Sequence, residues 1–298
     1  MSVRHLIVVF GDQLDLESAA FDDFDAENDL VWMAEAENES THVWTHKQRI
    51  AIFLAAMRHF REALQARGYR VNYTQLDDAK RTNRLSERLG IDLRALKPEK
   101  VIACRPGEWR VLEGLKKVCE ENDRPLEVRE DRHFYTTPED FREHAEGRKS
   151  LRMEFFYREL RKRFDVLMDE KGKPTGGEWN FDKENRGSFG RSGPEDPGQG
   201  PAHRADAITK EVLELVRDRF ADHPGSLDRF VWPVTRGEAR RDLEHFIRER
   251  LPSFGTYQDA MWTDEPWLYH SLISSSLNLK LLNPREVVDA AVEAYHEG

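Results

Sequence analysis

The sequence predicts an α/β fold: an open parallel sheet, then a connector, then the start of an all-α part. Three observations carry this. Short β-rich runs alternate with helical apolar patterns through residues 5–128, the order that βα units of a parallel sheet require. A stretch rich in Gly, Pro, Asn and Asp at 172–203 breaks the alternation and reads as a linker or a functional loop. Beyond it, apolar residues recur only at helical spacing.

The strands expected are His5–Phe10, Leu30–Ala34, Tyr69–Tyr73, Lys100–Cys104 and Leu126–Val128. Between the second and third, Ile50, Phe53, Leu54, Met57, Phe60 and Leu64 share one helix face, and Gly68 supplies the stop. Leu85–Leu96 and Trp109–Glu121 are two further helices. Thr137, Pro138 and Asp140 mark another helix start. A basic helical segment follows from Arg148 to Arg163. Past the connector, Ile208, Val212, Leu215, Val216 and Phe220 form one face. Thr235 and Glu238 have capping-box spacing, and Asn283, Pro284 and Glu286 combine a cap, a first-position proline and an acid. The expected domains are 1–135, a basic helix and connector at 136–204, and an all-α part at 205–298.

Composition narrows the function. At 298 residues the chain is long enough for two cores. Its 39% apolar and 34% charged residues, with mean hydropathy −0.75, fit a globular protein with a well-solvated surface. No apolar run approaches the roughly 20 residues that cross a bilayer. The opening MSVRHLIVVFGDQ lacks a small-residue cleavage site, and a cytoplasmic protein is expected. The net charge of −10 argues against a broad polyanion-binding surface while leaving room for a local basic patch. Two cysteines, Cys104 and Cys119, are too few for a disulfide framework or a four-cysteine metal site.

Candidate sites follow from the sheet. Ligands of open α/β sheets sit at the carboxyl ends of the strands. Gly11, Asp12 and Gln13 follow strand one, without the G-x-G-x-x-G of a dinucleotide grip. Glu35, Glu37 and Glu39 follow strand two and point the same way if extended. These groups read either as turn chemistry and solvated acids or as a polar pocket for a small molecule. His42 and His46 have i, i+4 spacing, but no third metal ligand is evident. Segment 148–163 carries seven basic residues against two Glu, interrupted by Phe155, Phe156 and Tyr157. It reads either as a phosphate- and base-contacting helix or as a solvated helix with its aromatics in the core. Trp179, Asn180, Phe181, Asp182 and Arg186 in the connector are large aromatics beside polar groups, which either pin the loop or bind. With no nucleophile elbow, Walker loop or zinc signature, difficult chemistry falls to an organic cofactor.

The stretch LYHSLISSSLNLKLLNPREVV at 268–288 is the most unusual. Its leucines suit a buried helix, yet Ser271, Ser274, Ser275, Ser276 and Asn278 are threaded among them, and buried hydroxyls need partners. The run from His270 to Leu277, followed by Asn283-Pro284-Arg285, resembles the flavin-binding entry of the photolyase/cryptochrome superfamily. There His270 replaces a Thr or Ser and Asn283 replaces a serine cap. FGDQL at 10–14, THKQRIAIFLAAMRHF at 45–60, PGEWRV at 106–111, GRKSLRMEFFYREL at 147–160, GGEWNFDKENR at 176–186, WPVTR at 232–236 and YQDAMW at 257–262 narrow the match. They resemble the prokaryotic iron–sulfur (6-4) photolyase branch, the deoxyribodipyrimidine photolyase-related proteins, over essentially the whole chain.

The resemblance implies a Rossmann-like antenna domain holding 6,7-dimethyl-8-ribityllumazine and an all-α domain holding FAD. Asp12, Gln13, Glu35, Glu39 and Phe53 would line the antenna pocket. Tyr257, His270, Ser271, Ser274 and Leu277 would contact FAD. Arg161, Arg163, Asp182 and Arg186 would lie on the side of damaged DNA, the expected partner, and the complete protein would be a monomer. Antenna energy would pass to reduced FAD, whose electron opens repair of a flipped-out (6-4) lesion. Members of the family continue well beyond residue 298, where their [4Fe-4S] cysteines lie. This chain is therefore expected to be an N-terminal portion, inactive alone. A cryptochrome-like photoreceptor and a fragment binding only lumazine remain as alternative readings.

Overall fold

The computed structural model describes residues 3–78, 82–195 and 198–298; residues 196 and 197 of the connector lie outside them. The chain divides into two compact units. One comprises Met1–Asp131, Ala202–Glu238 and Asn278–Leu281, the other Arg132–Pro201, Ala239–Leu277 and Leu282–Gly298.

In the first unit, β1 (His5–Val8), β2 (Leu30–Ala34), β3 (Val71–Thr74), β4 (Lys100–Cys104) and β5 (Leu126–Arg129) form one parallel sheet in the order β3-β2-β1-β4-β5. The register aligns Val8 with Trp32 and Ala103. Side chains alternate across a strand. Leu6, Val8, Trp32, Val101 and Ala103 therefore face one way and Ile7, Val31, Met33 and Ile102 the other, and all are buried. Burial on both faces is why these strands read as continuous apolar runs.

Helices α3 (Leu85–Leu96) and α4 (Trp109–Glu121) cover the first face through Leu89, Leu93, Leu115 and Val118. Helix α2 (Lys47–Ala66) packs on the other side and is buried nearly all round. An all-round buried helix needs a second neighbour, and α7 (Ala207–Arg219) supplies it with Val212 and Val216. The sequence groups residues 205–238 with the all-α part; the structure groups them with the sheet because α7 covers the outer side of α2.

The second unit holds α5 (Pro138–Ala145), α6 (Met153–Arg163), the end of α8 (Arg236–His245), α9 (Leu251–Tyr257), most of α10 (Ser274–Asn278) and α11 (Pro284–Glu297). One π-helical turn, Phe246–Arg250, joins α8 to α9. The capping boxes at Thr235 and Asn283 form as expected, and the helix start at Thr137 proves to be one as well.

Five local expectations change. Strand one stops at Val8, and the basic helix starts only at Met153. Glu37 and Glu39 lie in α1 (Glu37–Thr41), so they do not continue the extended line of Glu35. His42 caps the end of α1 and His46 the start of α2, so their spacing is not that of one helix. The serine stretch is irregular up to Ile273, with Leu272 at φ 59, and only its centre is helical.

At the carboxyl end of β2, Glu35 is fully engaged. Arg58 of α2 donates through Nε (2.8 Å) and Nη2 (3.0 Å), the Tyr73 hydroxyl through 2.8 Å and the Leu76 amide through 2.7 Å. Four donors fill the acceptor capacity of a carboxylate. Both charges are buried, at 2% and 1% exposure. Removing one partner strands the other in low dielectric, so Glu35→Ala should cost about 3–5 kcal/mol in urea unfolding. Glu39→Ala, at the half-exposed Glu39–Arg110 pair, should stay within about 1 kcal/mol. Equal losses at the two positions would contradict this assignment.

Candidate functional site

The loop after β1 runs directly against α2. A Cβ on Gly11 would sit 2.9 Å from the Met57 sulfur and 3.5 Å from Phe53 Cδ1, so a larger residue here would have to displace the Met57 side chain. Gln13 donates its Nε2 to the carbonyls of Cys104 (3.3 Å) and Arg105 (3.1 Å), tying the loop to the end of β4. Lys280 reaches the same edge and pairs with Asp131 after β5. Burial pushes the Asp12 carboxyl up, against the opposing charge of Lys280. Phe53 is half-buried, with the Arg49 guanidinium 5.7 Å from its ring centre.

Of the expected antenna residues, Asp12 and Gln13 therefore lie in the loop that Gly11 packs against Phe53. Glu35 is spent on Arg58, Tyr73 and Leu76. Glu39 grips Arg110 through two contacts of 3.0 and 2.8 Å, at a cavity on the α3–α4 side of the sheet. Sequence reasoning missed Arg58 and Tyr73, because only the fold brings them to Glu35.

In the second unit the serine segment holds polar groups without partners. The hydroxyls of Ser275 and Ser276 are buried and, among the described residues, bond to nothing. Ser276 is 1% exposed, Ser271 half-buried and Ser274 exposed. The carbonyl of His270 accepts from Arg250 Nη1 at 3.0 Å, and Arg250 Nη2 donates to the Gly198 carbonyl at 3.1 Å. Arg250 is 1% exposed, and burial pushes its guanidinium down despite Asp242. Tyr257 stacks on Phe189 (centroids 4.6 Å, 21°) and on Tyr269 (5.4 Å, 28°). Leu277 is half-buried.

The basic helix is less free than its composition implies. Arg158 pairs with Glu154, Arg148 with Glu159 and Arg163 with Asp140. Arg161 is buried and donates to the carbonyls of Val166 (3.0 Å) and Leu167 (2.5 Å). Lys149, Arg152 and Lys162 are exposed and form no ion pair among the described residues. Phe156 enters the core against Phe141 and His144, while Phe155 and Tyr157 are exposed. Trp179 has Arg158, Arg161 and Lys162 over its ring at 5.4, 5.7 and 5.2 Å. With Tyr157, Phe181, Asp182 and Tyr295 it lines a cavity of about 530 Å³. Arg186 is exposed.

Metal ligation is not served by the donors present. Burial pushes the thiols of Cys104 and Cys119 up to about 11, whereas the metal-binding form is the thiolate. Among the described residues no group of three or more His, Cys, Asp or Glu could hold a metal ion. Nor is any described helix long and apolar enough to cross a membrane.

A family model described as deoxyribodipyrimidine photo-lyase-related protein matches residues 7–232. A curated (6-4) photolyase of Agrobacterium fabrum is 40% identical over 300 residues, covering 99% of this chain and 58% of that protein. An uncharacterized protein of Acanthamoeba polyphaga mimivirus is 44% identical over 41 residues, 14% of this chain. Among solved structures, a bacterial class III photolyase from Agrobacterium tumefaciens superposes with TM-score 0.55 at 15% identity, covering 97% of this chain and 53% of that one. The chain thus spans between half and three-fifths of these photolyases.

The elevated Asp12 value has a sign that can be measured. The folded chain holds this proton more tightly than the unfolded chain. Stability therefore falls as pH rises from the ordinary carboxylate range through the folded value. Asp12→Asn should be more stable than wild type at about pH 7 and lack that fall. An Asn variant less stable than wild type at neutral pH would mean that partners hold the ionised carboxylate.

Proposed function

The chain belongs to the deoxyribodipyrimidine photo-lyase-related family, and on that premise we propose that it binds a lumazine antenna and FAD for light-driven repair of (6-4) lesions in DNA. The observation that carries the flavin part is the pair of buried, unpartnered hydroxyls on Ser275 and Ser276. An unsatisfied buried hydroxyl costs about 1–3 kcal/mol, and a diphosphate offers the acceptors that would recover it. Reduced flavin, when bound, supplies the light-excited electron. The chain's own residues bind and position. Ser275 and Ser276 donate to phosphate oxygens, Arg250 holds the His270 carbonyl, and the Phe189–Tyr257–Tyr269 stack keeps Tyr257 in place. Ser271, Ser274 and Leu277 flank the same segment.

Asp12 and Gln13, with Phe53 beside them, suit the lumazine. A carboxyl pushed toward its neutral form can donate to a ring nitrogen or accept from a ribityl hydroxyl, and Gln13 Oε1 remains as an acceptor. Glu35 acts through Arg58 as a positioning residue. The [4Fe-4S] cluster implied by the sequence resemblance has no fitting ligand set in these residues, and no step is assigned to it. For DNA, Lys149, Arg152 and Lys162 are exposed cations with no ion-pair partner among the described residues, along a segment that also exposes Phe155 and Tyr157. Arg163 and Arg186 add charge at the rim, Asp182 contributes polar contacts, and the buried Arg161 organises.

Alanine at Ser275 and Ser276 together should raise the stability of the ligand-free chain by about 1 kcal/mol or more and weaken FAD binding in a flavin-fluorescence titration. Equal flavin affinity in variant and wild type would remove the serines from the site. Phe53→Trp should crowd the lumazine by about 1–3 kcal/mol and lower its uptake, read by mass after denaturation. Charge reversal at Arg152 and Lys162 should weaken DNA binding and flatten its salt dependence, whereas reversal at Arg161 should unfold the helix end first. Unchanged DNA affinity across a salt series would return α6 to a structural role.

A further inference from the structure

A cavity of about 440 Å³ lies between α3 and α4 at the carboxyl edge of the sheet. The side-chain alternation places it on the face opposite Ile7, Met33 and α2, away from Gly11 and Phe53. Its floor is apolar: Phe10, Trp32, Leu89, Leu115 and Val118, all buried. Trp32 spends its indole N–H on Asp92 Oδ2 at 2.8 Å, so it offers the cavity only carbon surface.

Two glycines shape this space. At Gly90 on α3, a Cβ would lie 3.1 Å from Val118 Cγ2, so the helices close tightly there. At Gly114 on α4, which lines the cavity, nothing lies within 4 Å of the Cβ position. A glycine inside a helix costs about 0.5–1 kcal/mol relative to alanine, and no neighbour among the described residues requires one at 114. A flat object lying against the bare α4 backbone would.

The rim supplies charge. Arg110 is held by Glu39 and Glu108. Arg84, at the start of α3, lines the same mouth and has no hydrogen-bond or ion-pair partner for its guanidinium among the described residues. An apolar slot with one unpaired guanidinium at its entrance is complementary to a flat ring that carries an anion. The volume is in the range of small-molecule sites, and guanidinium matches phosphate geometry.

We propose that this cavity binds a nucleoside monophosphate, with the heteroaromatic ring between α3 and α4 against Gly114 and the phosphate on Arg84. The ring covers Trp32 and Leu115, while Ser86 and Asn38 at the rim offer polar contacts to the sugar. Of the residues expected for the antenna, Glu39 alone lines this cavity, and Asp12, Gln13, Phe53 and the flavin residues do not.

Calorimetric titration of the whole chain with AMP, and with adenosine as the uncharged control, tests the proposal. AMP should bind at least about tenfold more tightly than adenosine, the worth of one hydrogen bond to a charged group. Arg84→Ala should abolish that difference and leave adenosine binding in place. Gly114→Leu fills the slot and should abolish binding of both, with an unchanged or higher melting temperature because leucine favours helix. Lumazine uptake should survive Gly114→Leu and fail in Phe53→Trp, whereas AMP binding should show the reverse pattern, so the two sites fail separately. Absence of AMP binding, equal affinity for AMP and adenosine, or AMP binding that survives Gly114→Leu would overturn the proposal.

Discussion

The buried pair of Glu35 and Arg58 fixes the geometry on which the first unit depends. It joins the end of β2, the middle of α2 and, through Tyr73 and Leu76, the end of β3. Such a pair has little net stabilising value against a well-packed apolar substitute, yet it tolerates no partial removal. Its effect is orientation. With α2 held by its middle, Met57 and Phe53 stand where the glycine loop after β1 must pass them. The outer side of α2 then needs α7 to bury it. One four-donor carboxylate thereby sets the wall against which Asp12 and Gln13 are placed.

A division runs through both units between polar groups that the chain satisfies and those that it leaves open. Glu35, Arg161 and Lys280 have internal partners, and each organises backbone around it. Ser275 and Ser276 have none among the described residues, Asp12 is pushed toward its neutral form, and the Arg84 guanidinium has no partner among them at a cavity that Glu39 also lines. Since buried polar groups in proteins are almost always bonded, the open set is where the proposed ligands would complete the structure. Residue type alone does not separate the two sets. Arg161 and Lys162 are adjacent, yet one is a core strut and the other an exposed cation.

Most of the fold was legible because parallel-sheet strands are apolar on both faces and their helices carry a regular apolar stripe. Leu30–Ala34, Lys100–Cys104, Leu85–Leu96 and Trp109–Glu121 agree with the structure residue for residue. The errors came where tertiary contacts decide. The spacing of His42 and His46 looked helical, but a helix ends and another begins between them. Helix α7 has an ordinary amphipathic pattern that does not say which surface it covers. The serine segment was conspicuous in sequence, whereas which of its hydroxyls are buried without a partner appears only in three dimensions. The α3–α4 cavity left a faint trace, Gly114 inside a helical pattern, which means nothing until the helices are seen to part there.

Hydrogen exchange of the whole chain, with and without FAD and lumazine, tests most directly whether the open polar groups are the ligand sites. FAD should slow exchange across residues 270–278, and lumazine across 11–13 and 49–57. The Leu76 amide, already bonded to Glu35, should be slow throughout and unaffected by either. FAD that slows exchange elsewhere while leaving 270–278 unchanged would contradict the account.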